Sequence, residues 1–505
     1  MRTLLLLSLL SVLQYQVLFY VNVSLCAHQA QGFPQNLQAA DAVVALHPLV
    51  GGEWSIFLSD NRIPQALQIV HPRAGSIAVN FKQLDLLSGD KVVVRDPNGS
   101  MSITVTPANA SSLVEELKTS NNSPHSLLLQ THPFLVKGDS VVVEYLPSIP
   151  TLMLPVSRNQ RSKPIVVMDS YASITYSSRF GASRDGVDLE STVGAKVEAK
   201  EAVCYRKTQP KMYAKARAVA RLMIRTDQDT SDGESEQATS WSFCTGWLIG
   251  AGNHLITNHH CMKDAAVGER ATDVTRYAKE QEAVDPELQL NPFRWKWPRR
   301  SSRNKTGRVV EAIVGFMAET KTCQERGFMG ERVGIVEARR VAVVAENPDL
   351  DYVLLRALTN GSTTSLTRRY GSLRLRSTGP VNGETIYIPQ HPRGEPKEIA
   401  ATKNGEPAII EVAKPPSIDS RYRRPYSKTS DIQPIVWYNA DTEPGSSGSP
   451  VLSHEDNTVV ALHRAGNSEN SQSASTELFN IGVRIDLIAQ DLQRRNVLPK
   501  NALAS

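Results

Sequence analysis

Short apolar runs alternate with turn-forming residues through the first part of the chain, and this pattern predicts strands. The runs cover residues 76–81, 91–94 and 140–145, and the sequences Ser-Gly-Asp, Pro-Asn-Gly and Lys-Gly-Asp lie next to them. Glycine, proline, asparagine and aspartate favour tight turns, and many short strands at this spacing are typical of a β-sandwich. We therefore expect an all-β domain over residues 41–148.

The region from residue 202 onward has the same β character and ends in a predicted helix. Apolar stretches at residues 243–249 and 352–355 have the length of buried strands. Near the C-terminus, the apolar residues between 485 and 497 have the spacing of an amphipathic helix. Residues 149–201 show no clear period, and we interpret them as a linker or a pro-region.

The first residues have the pattern of a secretory signal. Arg2 supplies a positive charge, residues 4–10 are almost entirely apolar, and small residues follow near Ala27. The apolar stretch continues to Leu25, so a signal anchor is the alternative. Polar residues interrupt the stretch, which favours a cleaved signal peptide at residues 1–27. We expect a secreted, extracellular protein with no membrane segment in its mature form.

Composition narrows the class of protein. The chain has 505 residues, a formal net charge of +5 and a hydrophobic fraction of 41%. Such a length exceeds that of one ordinary domain, and the hydrophobic fraction is normal for a globular protein. Acidic and basic residues nearly balance, so nucleic acid is not an expected partner. The sequence has no metal-ligand spacing and no phosphate-binding glycine loop, and we expect no cofactor and no metal.

The strongest chemical signal is Gly-Ser-Ser-Gly-Ser-Pro at residues 445–450. Acyl transfer needs a hydroxyl on a tight turn and backbone N–H groups that bind the developing oxyanion. Gly445 and Gly448 allow a close backbone approach beside Ser447. We predict Ser447 as a nucleophile, with the N–H groups of Gly445 and Ser447 as the oxyanion hole. The alternative is an ordinary loop rich in serine and glycine.

A histidine beside a cysteine follows an apolar strand. Residues 255–257 lead into Asn258, two histidines and Cys261. A disulfide between Cys261 and Cys244 would close a short loop and fix the neighbouring imidazole. We therefore predict His260 as a general base, and we interpret His259, the alternative, as structural.

An acidic residue opens the apolar run at residues 352–355. A carboxylate beside a buried strand is costly unless it is paired. Pairing with an imidazole would meet that need and would fix the tautomer of the histidine. We predict Asp351 for this role because it leads directly into the strand. Asp349 is the alternative.

The order His260, Asp351, Ser447 resembles that of the trypsin/chymotrypsin superfamily, and in particular its glutamyl-endopeptidase-like, trypsin-like peptidase branch. The resemblance covers residues 202–499 and implies two β-barrels with the three residues in the cleft between them. Its motifs are Cys-Thr-Gly-Trp at 244–247, Thr-Asn-His-His-Cys at 257–261, Asp-Tyr-Val-Leu-Leu at 351–355, Ile-Pro-Gln-His-Pro at 388–392, the serine motif at 445–450 and Val-Ala-Leu-His at 460–463.

Two positions depart from the digestive members of that superfamily. Ser446 stands where those enzymes carry an aspartate that pairs with a newly cut N-terminus, so activation by that ion pair is not expected. Arg464 stands where they carry a serine. Substrate pairing there uses main-chain groups, so we expect activity to survive this change.

The sequence is compatible with a preference for either acidic or basic substrate residues. In the glutamyl-endopeptidase-like branch a histidine and a threonine or serine meet an acidic side chain, and His463 and Thr442 fall at matching positions. Asp441 lies six residues before the nucleophile, where trypsin keeps its cation-binding acid. We favour acidic over basic preference, and we assign Gly466 to the same substrate-binding set. The remaining alternative is that His463 merely fills the barrel core.

The N-terminal region resembles a CUB-like jelly-roll module. The resemblance lies in Ala-Val-Asn-Phe at residues 78–81, Gly-Asp-Lys-Val-Val-Val at 89–94 and Gly-Asp-Ser-Val-Val-Val-Glu at 138–144. It implies a carbohydrate or protein ligand for this module. The alternative to a peptidase is therefore an inert protease-fold binding protein or adhesin that uses the CUB-like module, and protein or peptide substrates are the expected partners of the peptidase.

Secretion would also permit disulfides and glycans. Loss of Cys26 with the signal leaves four cysteines, which allow three pairings; with Cys244 and Cys261 joined, Cys204 and Cys323 form the second predicted disulfide. Glycan acceptor triplets begin at five asparagines, namely Asn98, Asn109, Asn121, Asn304 and Asn360.

Overall fold

Two compact units make up the chain. The N-terminal unit consists mainly of Val43–Tyr176, and the C-terminal unit consists mainly of Ser177–Asp229 and Ser240–Ser505. The structure, a computed structural model, describes residues 20–21, 41–49, 51–57, 63–120, 124–129, 132–148, 163–176, 197–226, 239–266, 308–323, 334–359, 364–414, 434–466 and 479–504.

The N-terminal unit contains ten strands and two helices among its described residues. The strands are β1 Tyr20–Val21, β2 Asp41–Pro48, β3 Trp54–Phe57, β4 Gln65–Val70, β5 Ala74–Leu84, β6 Lys91–Arg95, β7 Ser102–Val105, β8 Leu135–Lys137, β9 Ser140–Leu146 and β10 Pro164–Tyr176. The helices are α1 Pro107–Ser120 and α2 Pro124–Leu128.

These strands form two sheets that share one apolar core. One sheet has the order β1-β4-β9-β6-β7, and the other has β2-β10-β5-β8 with β3 also paired to β10. Side chains from both sheets, including Phe81, Val94, Val143 and Met168, pack in a single buried cluster. The predicted β-sandwich is therefore present, and α1 and α2 are additions to it that the apolar pattern did not predict.

The prediction of a linker or pro-region at residues 149–201 is wrong for part of that range. Strand β10 has 13 residues and pairs with β5 along most of its length. Ile165, Val166 and Met168 lie in the core, while Ser170 and Thr175 interrupt the apolar pattern that would have identified a strand. Residues 200–201 also form a strand, which belongs to the C-terminal unit.

The C-terminal unit contains the remaining strands and five helices of the described residues. The strands are β11 Lys200–Glu201, β12 Val219–Thr226, β13 Thr239–Leu248, β14 His254–Thr257, β15 Val309–Phe316, β16 Ile335–Asn347, β17 Tyr352–Ala357, β18 Ile386–Gln390, β19 Glu398–Ala400, β20 Thr402–Lys403, β21 Glu406–Pro407, β22 Ile410–Val412, β23 Ile435–Tyr438, β24 Pro450–Ser453, β25 Val459–Gly466 and β26 Asn480–Arg484. The helices are α3 Tyr205–Thr208, α4 Pro210–Ala216, α5 His259–Met262, α6 Leu366–Tyr370 and α7 Ile485–Arg494.

Strands β12 to β17 form a closed barrel. Their order is β12-β15-β16-β17-β14-β13, and antiparallel pairing of β12 with β13 closes the circle. Trp247, Leu255, Val314 and Leu354 of these strands are buried in the core of the C-terminal unit. Because every strand has two neighbours, the barrel leaves no open edge, which is the usual way for antiparallel sheets to avoid unpaired backbone.

A second group of strands has the order β18-β24-β25-β26-β23-β22. Backbone hydrogen bonds join its two ends, because the N–H of Ile386 donates to Ala408 and the N–H of Ile410 donates to Glu384. The interior contains Ile388, Tyr438 and Val451. The fold class expected from the sequence, a chymotrypsin-like double β-barrel preceded by a β-sandwich, is confirmed.

The predicted C-terminal helix is confirmed as α7, which ends at Arg494 rather than at Val497. Ile485, Ile488 and Leu492 of this helix are buried in the core of the C-terminal unit. Their spacing of three to four residues gives the helix one apolar face.

Several expectations fall outside the described residues. The signal segment is described at Tyr20–Val21 alone. Within the described part of the chain, no helix combines the length and the apolar character needed to cross a bilayer.

Candidate active site

His260 lies in the short helix α5, which follows strand β14 of the first barrel. Strand β14 ends at Thr257, and α5 begins directly after Asn258. Cys261 forms a disulfide with Cys244 on β13, as expected. The disulfide and the Asn258 side chain, which donates to the Asp351 carbonyl at 2.9 Å, fix the turn that carries the imidazole.

Asp351 directs both carboxylate oxygens at His260. Its Oδ1 accepts the His260 backbone N–H at 2.9 Å, and its Oδ2 lies 2.8 Å from His260 Nδ1. Because an ionised carboxylate only accepts hydrogen bonds, Nδ1 is the protonated ring nitrogen. Burial by itself would raise the pKa of Asp351, but the charge and hydrogen bonds of His260, together with Arg464, lower it to about 2. Asp351 is therefore an anion at neutral pH.

The backbone at Asp351 has an unusual conformation. Its φ is 43°, in the left-handed region that few residues other than glycine and asparagine or aspartate adopt. The Asp351 carbonyl accepts the N–H of His259 at 3.1 Å. Main chain and side chain of Asp351 thus both bind the turn that contains His260.

The two alternatives lie elsewhere. His259 Nε2 is 3.8 Å from Glu346 Oε2, on the other side of α5. Asp349 is exposed, and its N–H donates to Asn347 Oδ1. The structure therefore brings His260 and Asp351 together and leaves His259 and Asp349 outside the pair.

Ser447 lies on a turn between two glycines, Gly445 and Gly448. Both the positive φ angles and the lack of room for a Cβ require glycine at these positions. Gly445 and Gly448 have φ values of 97° and 87°. A Cβ at Gly445 would approach the Arg393 nitrogen to 2.8 Å, and one at Gly448 would overlap the Thr245 carbonyl and the Thr257 hydroxyl. The turn can therefore approach both barrels closely only with glycine at these positions.

Thr245 connects this turn to the first barrel, a role that no local sequence pattern predicts. Its N–H donates to the Ser447 carbonyl at 2.9 Å, and its hydroxyl donates to the Gly445 carbonyl at 3.0 Å. The same hydroxyl oxygen accepts the backbone N–H of His391 at 3.0 Å. Cys261 Sγ also lies 3.9 Å from the Ser447 carbonyl oxygen. The Ser447 backbone is thus next to the disulfide that holds the His260 turn.

Arg464 contacts two of the three predicted residues. Its Nε lies 3.2 Å from Asp351 Oδ2, and its carbonyl accepts the Ser447 hydroxyl at 3.4 Å. The sequence identified Arg464 as a departure from digestive enzymes but did not predict the contact with Asp351.

The predicted substrate-binding residues are buried in the second barrel. Thr442 and His463 have no exposed surface, and Asp441 is 2% exposed. His463 Nδ1 lies 2.5 Å from the Tyr438 hydroxyl, and Asp441 Oδ2 accepts the Glu198 N–H at 2.7 Å. The sequence did not predict either contact. Gly466, the fourth predicted residue, is at the end of β25 and pairs with Asn480.

His391 of the motif at residues 388–392 is fully buried. Its Nδ1 lies 3.0 Å from the Glu395 carbonyl, and its pKa is lowered by burial and by the charges of Lys397 and Arg221. A neutral imidazole in that position supports the loop that packs against Gly445.

Cys204 and Cys323 form the second disulfide in the structure. Of the glycan acceptors, Asn98 is exposed, whereas Asn109 is half-buried and its Nδ2 donates to the Thr104 carbonyl. Asn121, Asn304 and Asn360 lie outside the described residues.

Comparison with known proteins supports a trypsin-like peptidase fold. Residues 315–462 match the family model described as Trypsin-like peptidase domain. The chain is 30% identical over 338 residues to Secreted RxLR effector protein 73 of Plasmopara viticola, covering 66% of this chain and 62% of that protein. The chain thus spans less than two thirds of the length of this curated relative.

Solved structures give weaker similarity. The HtrA-type protease AlgW with tripeptide has a TM-score of 0.32 and 14% identity, covering 56% of this chain and 61% of that one. The Rv3671c protease of M. tuberculosis in its inactive form has a TM-score of 0.31 and 13% identity, covering 59% and 98%. The fold described above rests on the strand pairing rather than on this similarity.

Proposed function

We propose that the chain is a secreted serine endopeptidase that cleaves peptide bonds through Ser447, His260 and Asp351. The observation that carries the proposal is the double hydrogen bond from His260 to the buried carboxylate of Asp351. That carboxylate is joined through Arg464 to the turn of Ser447. A buried anion, an imidazole and a serine on a glycine turn are the groups that acyl transfer requires.

The mechanism follows from the tautomer of His260. With its proton on Nδ1, the neutral ring presents Nε2 as an acceptor. His260 takes the proton of Ser447 as the hydroxyl attacks the scissile carbonyl, and Asp351 stabilises the imidazolium that forms. The N–H groups of Gly445 and Ser447 bind the oxyanion. His260 then protonates the leaving amine, and water cleaves the acyl-enzyme by the same steps.

We further propose a preference for acidic residues on the acyl side of the cut bond. His463 and Thr442 would bind the acidic side chain. The contact between His463 and the Tyr438 hydroxyl supports this proposal, because it orients an imidazole inside the second barrel. The Asp441 carboxylate accepts the Glu198 N–H, which argues against its use as a cation-binding group. Gly466 would allow the substrate backbone to lie along β25.

The predictions for the N-terminal region and for the glycans rest on the sequence alone. A signal peptide at residues 1–27, a CUB-like module at residues 41–148 with a carbohydrate or protein ligand, and glycans at the five asparagines remain predictions. The peptidase domain at residues 202–499 also remains a prediction, and strand β11, which directly precedes it, pairs with β19.

A second candidate is a protease-fold binding protein without catalytic activity. The relative at 30% identity is named as a secreted effector. An effector can act by binding alone, so this name favours the second candidate more than any feature of the site does.

A proteolysis assay separates the two candidates. Protein secreted into culture medium is incubated with a denatured protein substrate, and new N-termini are sequenced. The peptidase predicts cuts that disappear in Ser447→Ala, while Ser453→Ala, a buried serine on β24, retains them. Absence of cuts by folded, processed protein would favour the binding protein.

A further inference from the structure

Arg464 contacts both Asp351 and the hydroxyl of Ser447. Its Nε lies 3.2 Å from Asp351 Oδ2, the same oxygen that His260 Nδ1 contacts at 2.8 Å. The Arg464 side chain is 19% exposed and that of Asp351 is 6% exposed. Solvent therefore screens this ion pair less than it would screen a surface pair.

Arg464 lies at a break in strand register. Strand β25 pairs with β26 through His463 and Gly482 and then through Ala465 and Ile481, so the register shifts at Arg464. Such a bulge changes the face to which a side chain points, and bulges occur often beside active sites. Regular alternation would place residue 464 opposite its buried neighbours, facing away from the barrel interior.

The charges around His260 are few among the described residues. Asp351 and Arg464 face it from the start of β17 and from β25. On α5, His259 faces Glu346 of β16, which also pairs with Arg308 at 3.3 Å. Glu346 and Arg308 therefore pair with each other, whereas Asp351 contacts the imidazole of His260 directly.

A guanidinium keeps its charge at all accessible pH values, whereas the serine of digestive enzymes carries none. An anion beside an imidazole favours the protonated ring, and a fixed cation beside that anion offsets the effect. Arg464 therefore offsets part of the effect that the Asp351 carboxylate has on the imidazole of His260.

We infer that Arg464 is a positioning residue that acts through Asp351 to extend the activity of His260 into the acidic range. The inference rests on the proposed function, because it concerns the base of that reaction. It assigns a role to the arginine at a position where digestive enzymes carry a serine.

The first test is the pH dependence of kcat/KM for peptide cleavage. Arg464→Ser should move the midpoint of the acidic limb upward by about 1 unit, because loss of a nearby positive charge favours the protonated imidazole. Arg464→Lys, which keeps the charge, should leave the midpoint near that of the wild type. Arg494→Ser, which removes an arginine paired with Asp491 on α7, is the matched control and should not move it.

A uniform loss of activity in Arg464→Ser, with the midpoint unchanged, would overturn the inference, since a structural defect lowers the rate at every pH. A shift to lower pH would overturn it as well.

The second test does not depend on activity. In a Ser447→Ala background, the imidazole of His260 is titrated by NMR with ¹³C-labelled histidine, and its signal is identified by its loss in a His260→Gln variant. Adding Arg464→Ser should raise the titration midpoint, and an unchanged midpoint would overturn the inference. If the midpoint rises but the wild type cleaves no peptide, the charge relationship stands and the proposed peptidase function fails.

Discussion

Asp351 accepts two hydrogen bonds from His260, one from the backbone N–H and one from the ring. The backbone bond fixes the distance between the two chain segments, and the ring bond fixes the tautomer. An aspartate held in this way cannot rotate to serve another partner without loss of both bonds. The pair is therefore set before any substrate arrives, which is the condition for efficient general-base catalysis.

Asparagine at position 351 should nearly abolish catalysis. An amide in place of the carboxylate can present N–H to the ring, which favours the wrong tautomer, and kcat should fall by about 10⁴-fold. Binding of peptide, measured as KM, should change little. Retention of more than a tenth of the wild-type kcat in Asp351→Asn would show that His260 does not depend on this carboxylate.

Alanine at position 448 should destabilise the C-terminal unit through steric overlap. Its Cβ would overlap the Thr245 carbonyl and the Thr257 hydroxyl, whereas a Cβ at Gly405, which also has positive φ, would meet no atom within 4 Å. Gly448→Ala should lose about 1–3 kcal/mol more unfolding free energy than Gly405→Ala. Urea denaturation measures the difference, and equal losses would mean that the turn can move away from the first barrel.

Glutamine at position 398 should stabilise the protein in alkali. Burial, followed by the charges of Glu201, Glu443 and Glu395, raises the pKa of Glu398 from 4.5 to about 8. The unfolded chain therefore releases this proton earlier, so stability falls as the pH rises from about 4.5 to about 8.

Glu398→Gln removes that loss. At pH 9 the Tm of Glu398→Gln should exceed that of the wild type by about 2–4 °C for each kcal/mol of unfolding free energy that the substitution restores. At pH 4 the two Tm values should be equal. Glu406→Gln, at an exposed position, is the control. An equal Tm for Glu398→Gln and wild type at both pH values would contradict the role of Glu398.

Substrate preference should depend on the Tyr438 hydroxyl. Tyr438→Phe removes the contact with His463 Nδ1, and kcat/KM for cleavage after Glu should fall about threefold to tenfold. Cleavage after Gln should change less, because a neutral side chain gains less from an oriented imidazole. A peptide panel that varies this one position provides the measurement, and faster cleavage after Arg than after Glu would instead indicate Asp441 as the reader.

The pieces of the site that sequence could predict are local. His260 follows an apolar strand and precedes a cysteine, Asp351 opens a strand, and Ser447 lies between two glycines. Each pattern reflects a requirement of a few neighbouring residues, and the chain order of the three matched one known arrangement. The strands and the C-terminal helix were predictable for the same reason.

The contacts that could not be predicted depend on distant pairing. Arg464 lies at a register shift in β25 and contacts Asp351, which is 113 positions earlier in the sequence and precedes β17 of the first barrel. Glu198 reaches Asp441 across 243 positions of sequence. The serines of strand β10 interrupt its apolar pattern, so the sequence predicts a linker there. In each case the cause is tertiary packing rather than local preference.

The most direct measurement of the central claim is labelling of folded, secreted protein with a fluorophosphonate, followed by mass spectrometry of the adduct. We predict one adduct per chain on Ser447, lost in Ser447→Ala, strongly reduced in His260→Ala and absent after heat denaturation. Folded wild-type protein that stays unlabelled at pH 8, or an adduct on another residue, would contradict the proposed peptidase site.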